Sequence, residues 1–188
     1  MSAAARARIV VIGVGNEFRH DDGLGPAVVA RLGTRAADRP LPPGTVLTTC
    51  DGEPGRLLGS WESAELAVVV DAAHAEPPQP GRVHRVELDD GALARPGPGP
   101  GQANSHGLGL GEAIELSRVL GRLPGRLVVY AVEGADRRVG TGLSPVVAER
   151  VDAVADAVEA DIVRHRDAAA RGGAARDQGH GHGGGVSV

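Results

Sequence analysis

"VVIGVGNEFRHDDGLGPAVV", residues 10–29, carries an apolar run into a glycine-rich turn and sets two adjacent carboxylates, Asp21 and Asp22, just ahead of the next apolar stretch. A turn of this kind ordinarily presents main-chain N–H groups to an anion at an electropositive helix start. Carboxylates there would repel it. The run that enters the turn, residues 8–14, is continuously apolar and rich in β-branched residues, the pattern of a strand covered on both faces. The residues leaving it predict a helix from Asp22 to about residue 37, with Pro26 tolerated in its first turn.

The same alternation continues along the chain. Residues 45–50 read as a second strand, "DGEPGRLLGSWE" as a turn leading into a short helix, and residues 65–70 as the clearest buried strand, ending on Asp71. Residues 81–88 alternate apolar and polar side chains, as an edge or antiparallel strand does. Residues 89–104 are rich in Gly and Pro and read as a loop, followed by a helix over residues 105–120 with Ser105 as its N-cap. A strand over residues 127–132, a loop and a helix over residues 144–165 complete the pattern. The expected architecture is an α/β domain of three layers, helix, sheet and helix, around a mostly parallel sheet of about five strands. It occupies residues 1–166, and residues 167–188, an Ala, Gly, Arg and His tail without apolar periodicity, are expected to be disordered.

Composition removes several function classes. The 188 residues suit one domain, and with aromatics at 2% the core must be built from Val, Leu, Ile and Ala. Stacking platforms for nucleic acid are missing, and the 20 basic residues, all arginine, are scattered under a net charge of -4. Nucleic acid is therefore not an expected partner. The single cysteine, Cys50, excludes a disulfide framework and a thiolate-rich metal site, and at a strand end it reads as an inert thiol. With no signal peptide and no apolar stretch of roughly 20 residues, neither export nor membrane insertion is expected, which predicts a cytoplasmic protein.

In parallel α/β sheets the binding crevice lies beyond the carboxyl ends of the strands. Asp21 and Asp22, Asp51 and Asp71 all fall at such ends, and His106 joins them if its helix start folds over the same edge. A dinucleotide site is not expected, because Phe18 replaces the third glycine of the fingerprint and no strand-end acid falls at the spacing of roughly 20 residues. Each remaining candidate also has a plain structural role open to it: Asp22 as a helix cap, Asp71 as a turn or salt-bridge residue. Taken together, Asp22, Asp71 and His106 offer two carboxylates and an imidazole, an open set suited to a divalent transition metal such as nickel or zinc. His20, His74, His84 and His165 have no partner spacing that recommends them, and His180 and His182 in "GHGHGG" read as compositional.

Five motifs, "GVGNEFRHDDGLG", "DGEPGRLL", "VVVDAAH", "SHGLGLGEAI" and "GLSPVVAERVDAV", in this order and approximate spacing, resemble the [NiFe]-hydrogenase maturation endopeptidases over residues 8–163. The resemblance implies a cytoplasmic protease that removes a C-terminal extension from the hydrogenase large-subunit precursor once nickel has been inserted. It maps the metal-binding positions onto Asp22, Asp71 and His106, with Asp22 standing where the family more often has Glu. Nickel would be presented by the substrate, with zinc or another divalent metal taken up in isolation. Asp22, Asp71 and Asp51 are the catalytic candidates, Asp51 as a reserve general base, and whether metal or aspartate activates water is left open. This chain has "AVEGAD" where the family carries Gly-[Ile/Val]-[Gln/Glu]-Pro after the last strand, which leaves the role of Glu133 open. The competing readings are a non-enzymatic nickel carrier or sensor, and a related protease with another protein substrate.

Overall fold

The computed structural model describes residues 8–89 and 108–177. Its chain order is β1 (Ile9–Val14), a 3-10 turn (His20–Gly23), α1 (Leu24–Asp38), β2 (Thr45–Cys50), α2 (Pro54–Trp61), β3 (Leu66–Ala73), β4 (Val83–Asp89), α3 (Leu108–Leu120), β5 (Arg126–Glu133), α4 (Pro145–Ala148) and α5 (Val151–Asp177). The five strands form one sheet in the order β2-β1-β3-β5-β4. β1, β2, β3 and β5 are parallel, and β4 pairs antiparallel with β5 at the edge. No helix joins β3 to β4, and a connection that short cannot make the crossover that a parallel strand requires.

The continuous apolar runs are buried on both sides, as a parallel strand between two helical layers must be. On one face Ile9, Val11, Val68, Val70, Val128 and Val132 pack with Leu24, Val28 and Leu32 of α1 and Val154, Val158 and Ile162 of α5. On the other, Val10, Ile12, Ala67, Val69, Leu127 and Val129 pack with Leu57 and Trp61 of α2 and Leu110, Ala113 and Ile114 of α3. The expected α/β three-layer fold is thus the one observed. Trp61 also donates its indole N–H to Ser117 Oγ at 3.0 Å, tying α2 to α3.

Three element expectations need correction. β3 runs on to Ala73, so Asp71 lies within the strand rather than at its end, because Asp71, Ala72 and Ala73 pair with Ala131, Val132 and Glu133 of β5. The last helical region is divided into α4 and α5, and the Ser144 hydroxyl that would cap it donates to Asp21 instead. α5 also continues to Asp177, so residues 167–177 are helical where disorder was expected. A helix already nucleated adds one hydrogen bond per residue, and a run of alanines propagates it without an apolar face. Residues 178–188 and most of the Gly/Pro stretch at 89–104 lie outside the described residues, as do Ser105, His180 and His182.

Candidate active site

Of the two adjacent aspartates, Asp22 is half-buried and Asp21 fully buried, and they do different work. α1 begins after Gly23 with no side-chain cap, so Asp22 does not cap it. Its carboxylate instead accepts the Asn16 N–H at 2.9 Å. Gly15 makes this possible: its φ is +133°, and a Cβ there would sit 1.8 Å from the Asp22 carbonyl oxygen. Gly13 and Gly25 bring α1 onto the strand, since a Cβ on Gly13 would fall 2.3 Å from the Gly25 carbonyl oxygen. The glycines of the opening motif therefore serve helix-to-strand approach and the placing of Asp22; none is needed for an anion.

Asp71 faces the same region from β3. It is 7% exposed, and burial together with the negative charge of Asp22 pushes its carboxyl up to about 7, a hydrogen bond from the Ala72 N–H offsetting part of the rise. β1 and β3 are neighbours, with β2 reached on one side of β1 and β3 on the other. The two carboxylates thus flank the point where the strand order reverses, where open α/β sheets bind ligands. Hard oxygen donors, one of them destabilised as an anion by its surroundings, suit a divalent cation, which would relieve both the burial and the mutual repulsion. Among the described residues no group of three or more His, Cys, Asp or Glu is placed to hold a metal; of the three expected ligands, Asp22 and Asp71 are described and face one region. The third, His106, lies outside the described residues.

Asp21 is the residue whose role the sequence concealed. Its carboxylate accepts Ala135 N at 2.7 Å, Asp136 N at 2.8 Å, Ser144 N at 2.7 Å and Ser144 Oγ at 2.8 Å. Burial alone would raise its pKa, but these bonds outweigh it and hold the carboxyl below its ordinary value. Asp21 is an anchor between the connection after β1 and the connection after β5. Successive residues of a 3-10 turn point about 120° apart, so with Asp21 facing inward Asp22 is free to face the crevice.

Asp51, expected as the reserve base, is exposed at the end of β2, accepts Glu53 N at 3.3 Å and forms an ion pair with Arg56 at 3.0 Å. It stands near enough to Cys50 for its charge to act there, as does Asp71. Burial first, and these two charges after it, raise the Cys50 thiol, consistent with the inert role expected of it. Glu133, left open by the sequence, is buried and engaged: it accepts Gln79 N at 2.6 Å and pairs with His84 Nε2 at 2.7 Å, and His84 foremost holds its carboxyl low. Its work is to fasten the connection between β3 and β4. His20 is likewise engaged, its Nδ1 lying 2.9 Å from the Gly142 carbonyl.

A family model described as hydrogenase maturation protease matches residues 49–161. Nothing among curated proteins matches. Among solved structures the chain is similar to the hydrogenase maturating endopeptidase HybD from E. coli, at 24% identity and a TM-score of 0.64 over 84% of this chain and 93% of that one. It is similar to the [NiFe] hydrogenase maturation protease HybD from Thermococcus kodakarensis, at 20% identity and a TM-score of 0.61, covering 81% of this chain and 97% of that one. It is also similar to the hydrogenase 2 maturation peptidase from Thaumarchaeota archaeon SCGC_AB-539-E09, at 25% identity and a TM-score of 0.56, covering 80% and 95%.

Proposed function

The chain belongs to the hydrogenase maturation protease family and is a peptidase, and we propose that its substrate is a [NiFe]-hydrogenase large-subunit precursor, from which it removes the C-terminal extension after nickel insertion. The observation that carries this reading is the pair Asp22 and Asp71 at the reversal of strand order, one carboxylate so placed that it stays partly protonated near neutrality.

The substrate brings the nickel with it. Asp22, Asp71 and His106 hold that ion, and by holding it they fix the scissile peptide in the crevice, converting an encounter between two proteins into a positioned reaction. A precursor without nickel offers these ligands nothing to grip, so selectivity for the loaded form follows from the donor set. A proton must leave the attacking water. Asp71, whose proton affinity is near neutral only while it is not bound to the ion, and Asp51, exposed at the neighbouring strand end, are the two carboxylates placed to take it.

Incubation with nickel-loaded and nickel-free precursor, followed by electrophoresis, tests the proposal. Only the loaded form should shorten; equal shortening of both forms, or of neither, rejects it. Asp22→Asn and His106→Ala should each lower the rate by at least about a hundredfold while leaving the fold intact. Asp51→Asn separates the two bases, since a rate within about twofold of the parent assigns the proton to Asp71.

A further inference from the structure

The connections that follow β1 and β5 form a single braced unit. His20 N donates to the Gly140 carbonyl at 3.0 Å, Gly140 N to the Phe18 carbonyl at 2.9 Å and Asp21 N to the Asp136 carbonyl at 3.1 Å, with the Asp21 carboxylate beneath them. Gly140, at φ +156°, admits the His20 ring, which a Cβ would meet at 2.1 Å. Such bracing is costly in chain entropy, and yet the unit uses it to hold apolar side chains in water. Phe18, the only phenylalanine of the chain, is 61% exposed, and Val139 is 84% exposed.

Charge on the same unit is also unbalanced, beside the separate cavity that Phe18 lines with Ala27, Ala30 and Leu143. Several arginines elsewhere sit against acids, Arg31 and Arg35 of α1 on Asp152 and Arg85 of β4 on Asp161, whereas Arg82, Arg150 and Arg171 stand exposed and without an acid partner among the described residues. Arg19 and Arg137 are exposed and have no acid partner among the described residues, while Arg138 pairs with Asp136. Arg19 and Arg137 line a common cleft of about 730 Å³. Arg137 also borders a second cavity, of about 580 Å³, with His74, Glu76 and Gly134. His74 follows Asp71 by three residues and Gly134 follows β5, so that cavity opens along the sheet edge that carries Asp71.

Resting on the reading of the site as a precursor-processing peptidase, we infer that this braced unit docks the precursor segment next to the scissile bond, a carboxylate of that segment bridging Arg19 and Arg137 and an apolar side chain seated on Phe18. The molecule is acidic overall and its reaction centre is built of carboxylates, so an acidic segment would be repelled from the crevice unless cations stood beside it. Arg19 and Arg137 are so placed. A guanidinium pair gives a carboxylate both charge and a fixed direction, which orients the chain running on to Asp22 and Asp71.

The test is steady-state processing of nickel-loaded large-subunit precursor by the full chain carrying Arg19→Glu and Arg137→Glu together. KM should rise about tenfold or more with kcat within about twofold, and the parent's KM should climb with salt while the variant's does not. Phe18→Ser should raise KM independently of salt, and Arg171→Glu, a reversal on exposed α5, should change nothing. Circular dichroism establishes that each variant is folded, and Arg137→Glu alone, at a surface position, serves if the double variant is not. A KM within about twofold of the parent at low salt overturns the inference, as does a parent dimer that the reversal dissociates, which would assign the patch to self-association. Failure of the parent to shorten any precursor would instead strike the proposed function.

Discussion

At Asp71 one side chain joins stability, pH and chemistry. An ordinary aspartate releases its proton near 3.8, and this one holds it to about 7. Between those values the folded protein binds a proton that the unfolded chain has lost, so stability falls as pH rises through the window. The total comes to about 4 kcal/mol if the shift is fully expressed. Asp71→Asn removes the charge at nearly constant shape. Urea denaturation should find the variant more stable than the parent at pH 8, by up to about 4 kcal/mol, and nearly equal to it at pH 4, while processing is lost. Equal stability of the two proteins at pH 8 would show that Asp71 is not strained as an anion. Asp21 has the opposite sign: its lowered pKa adds stability above the ordinary aspartate range and withdraws it as pH falls through the folded value. Two adjacent residues in the sequence thus differ in kind, Asp21 bracing two connections and Asp22 left beside Asp71 for the proposed chemistry.

At the scale of the elements, the truncation that removes residues 167–188 separates what helix α5 does for the fold from what its length suggests. Its packing side chains, Val154, Val158 and Ile162, all precede the cut, and the described residues from Ala168 to Gly172 are exposed. The shortened protein should lose helical dichroism yet process precursor at the parent rate; a rate lowered more than about twofold would place a substrate contact on the removed segment. The same helix shows why parts of the fold were legible and parts were not. Buried strands announce themselves, because residues 9–14 and 66–70 are apolar at every position but Gly13, and the alternation in β4 marks an edge. Helix ends depend on interactions across the fold. Nothing local to Ser144 reveals that its hydroxyl is taken by Asp21, and nothing local to Asp71 reveals that β5 extends β3 past it. The candidate site was legible as a set of residue types near the carboxyl ends of the strands, though Asp71 lies within β3. Its division into a buried anchor, Asp21, and a half-buried carboxylate, Asp22, was not, since adjacent aspartates look alike until a 3-10 turn points them apart.

For the whole molecule, the proposed metal site at the reversal of strand order would couple metal and proton in one equilibrium. Below about pH 7 Asp71 holds a proton, and a divalent cation held by Asp22 and Asp71 must displace it. Each pH unit below that point should therefore weaken the apparent affinity about tenfold through this group alone. Stabilisation by a ligand grows as RT ln(1 + [L]/Kd), so the effect can be read on the free protein without any precursor. Thermal unfolding with Ni²⁺ should show a clearly larger rise in Tm at pH 8 than at pH 6, and the Asp71→Asn variant should show little rise at either. A nickel-induced rise that is equal at both pH values, or that survives Asp71→Asn, would remove Asp71 from the ligand set and leave the raised pKa to serve proton transfer alone. The same coupling bears on selectivity. Under the proposed function the proton of the free protein would guard the site against stray cations, whereas a precursor docked through many other contacts would deliver its nickel at high effective concentration and displace the proton.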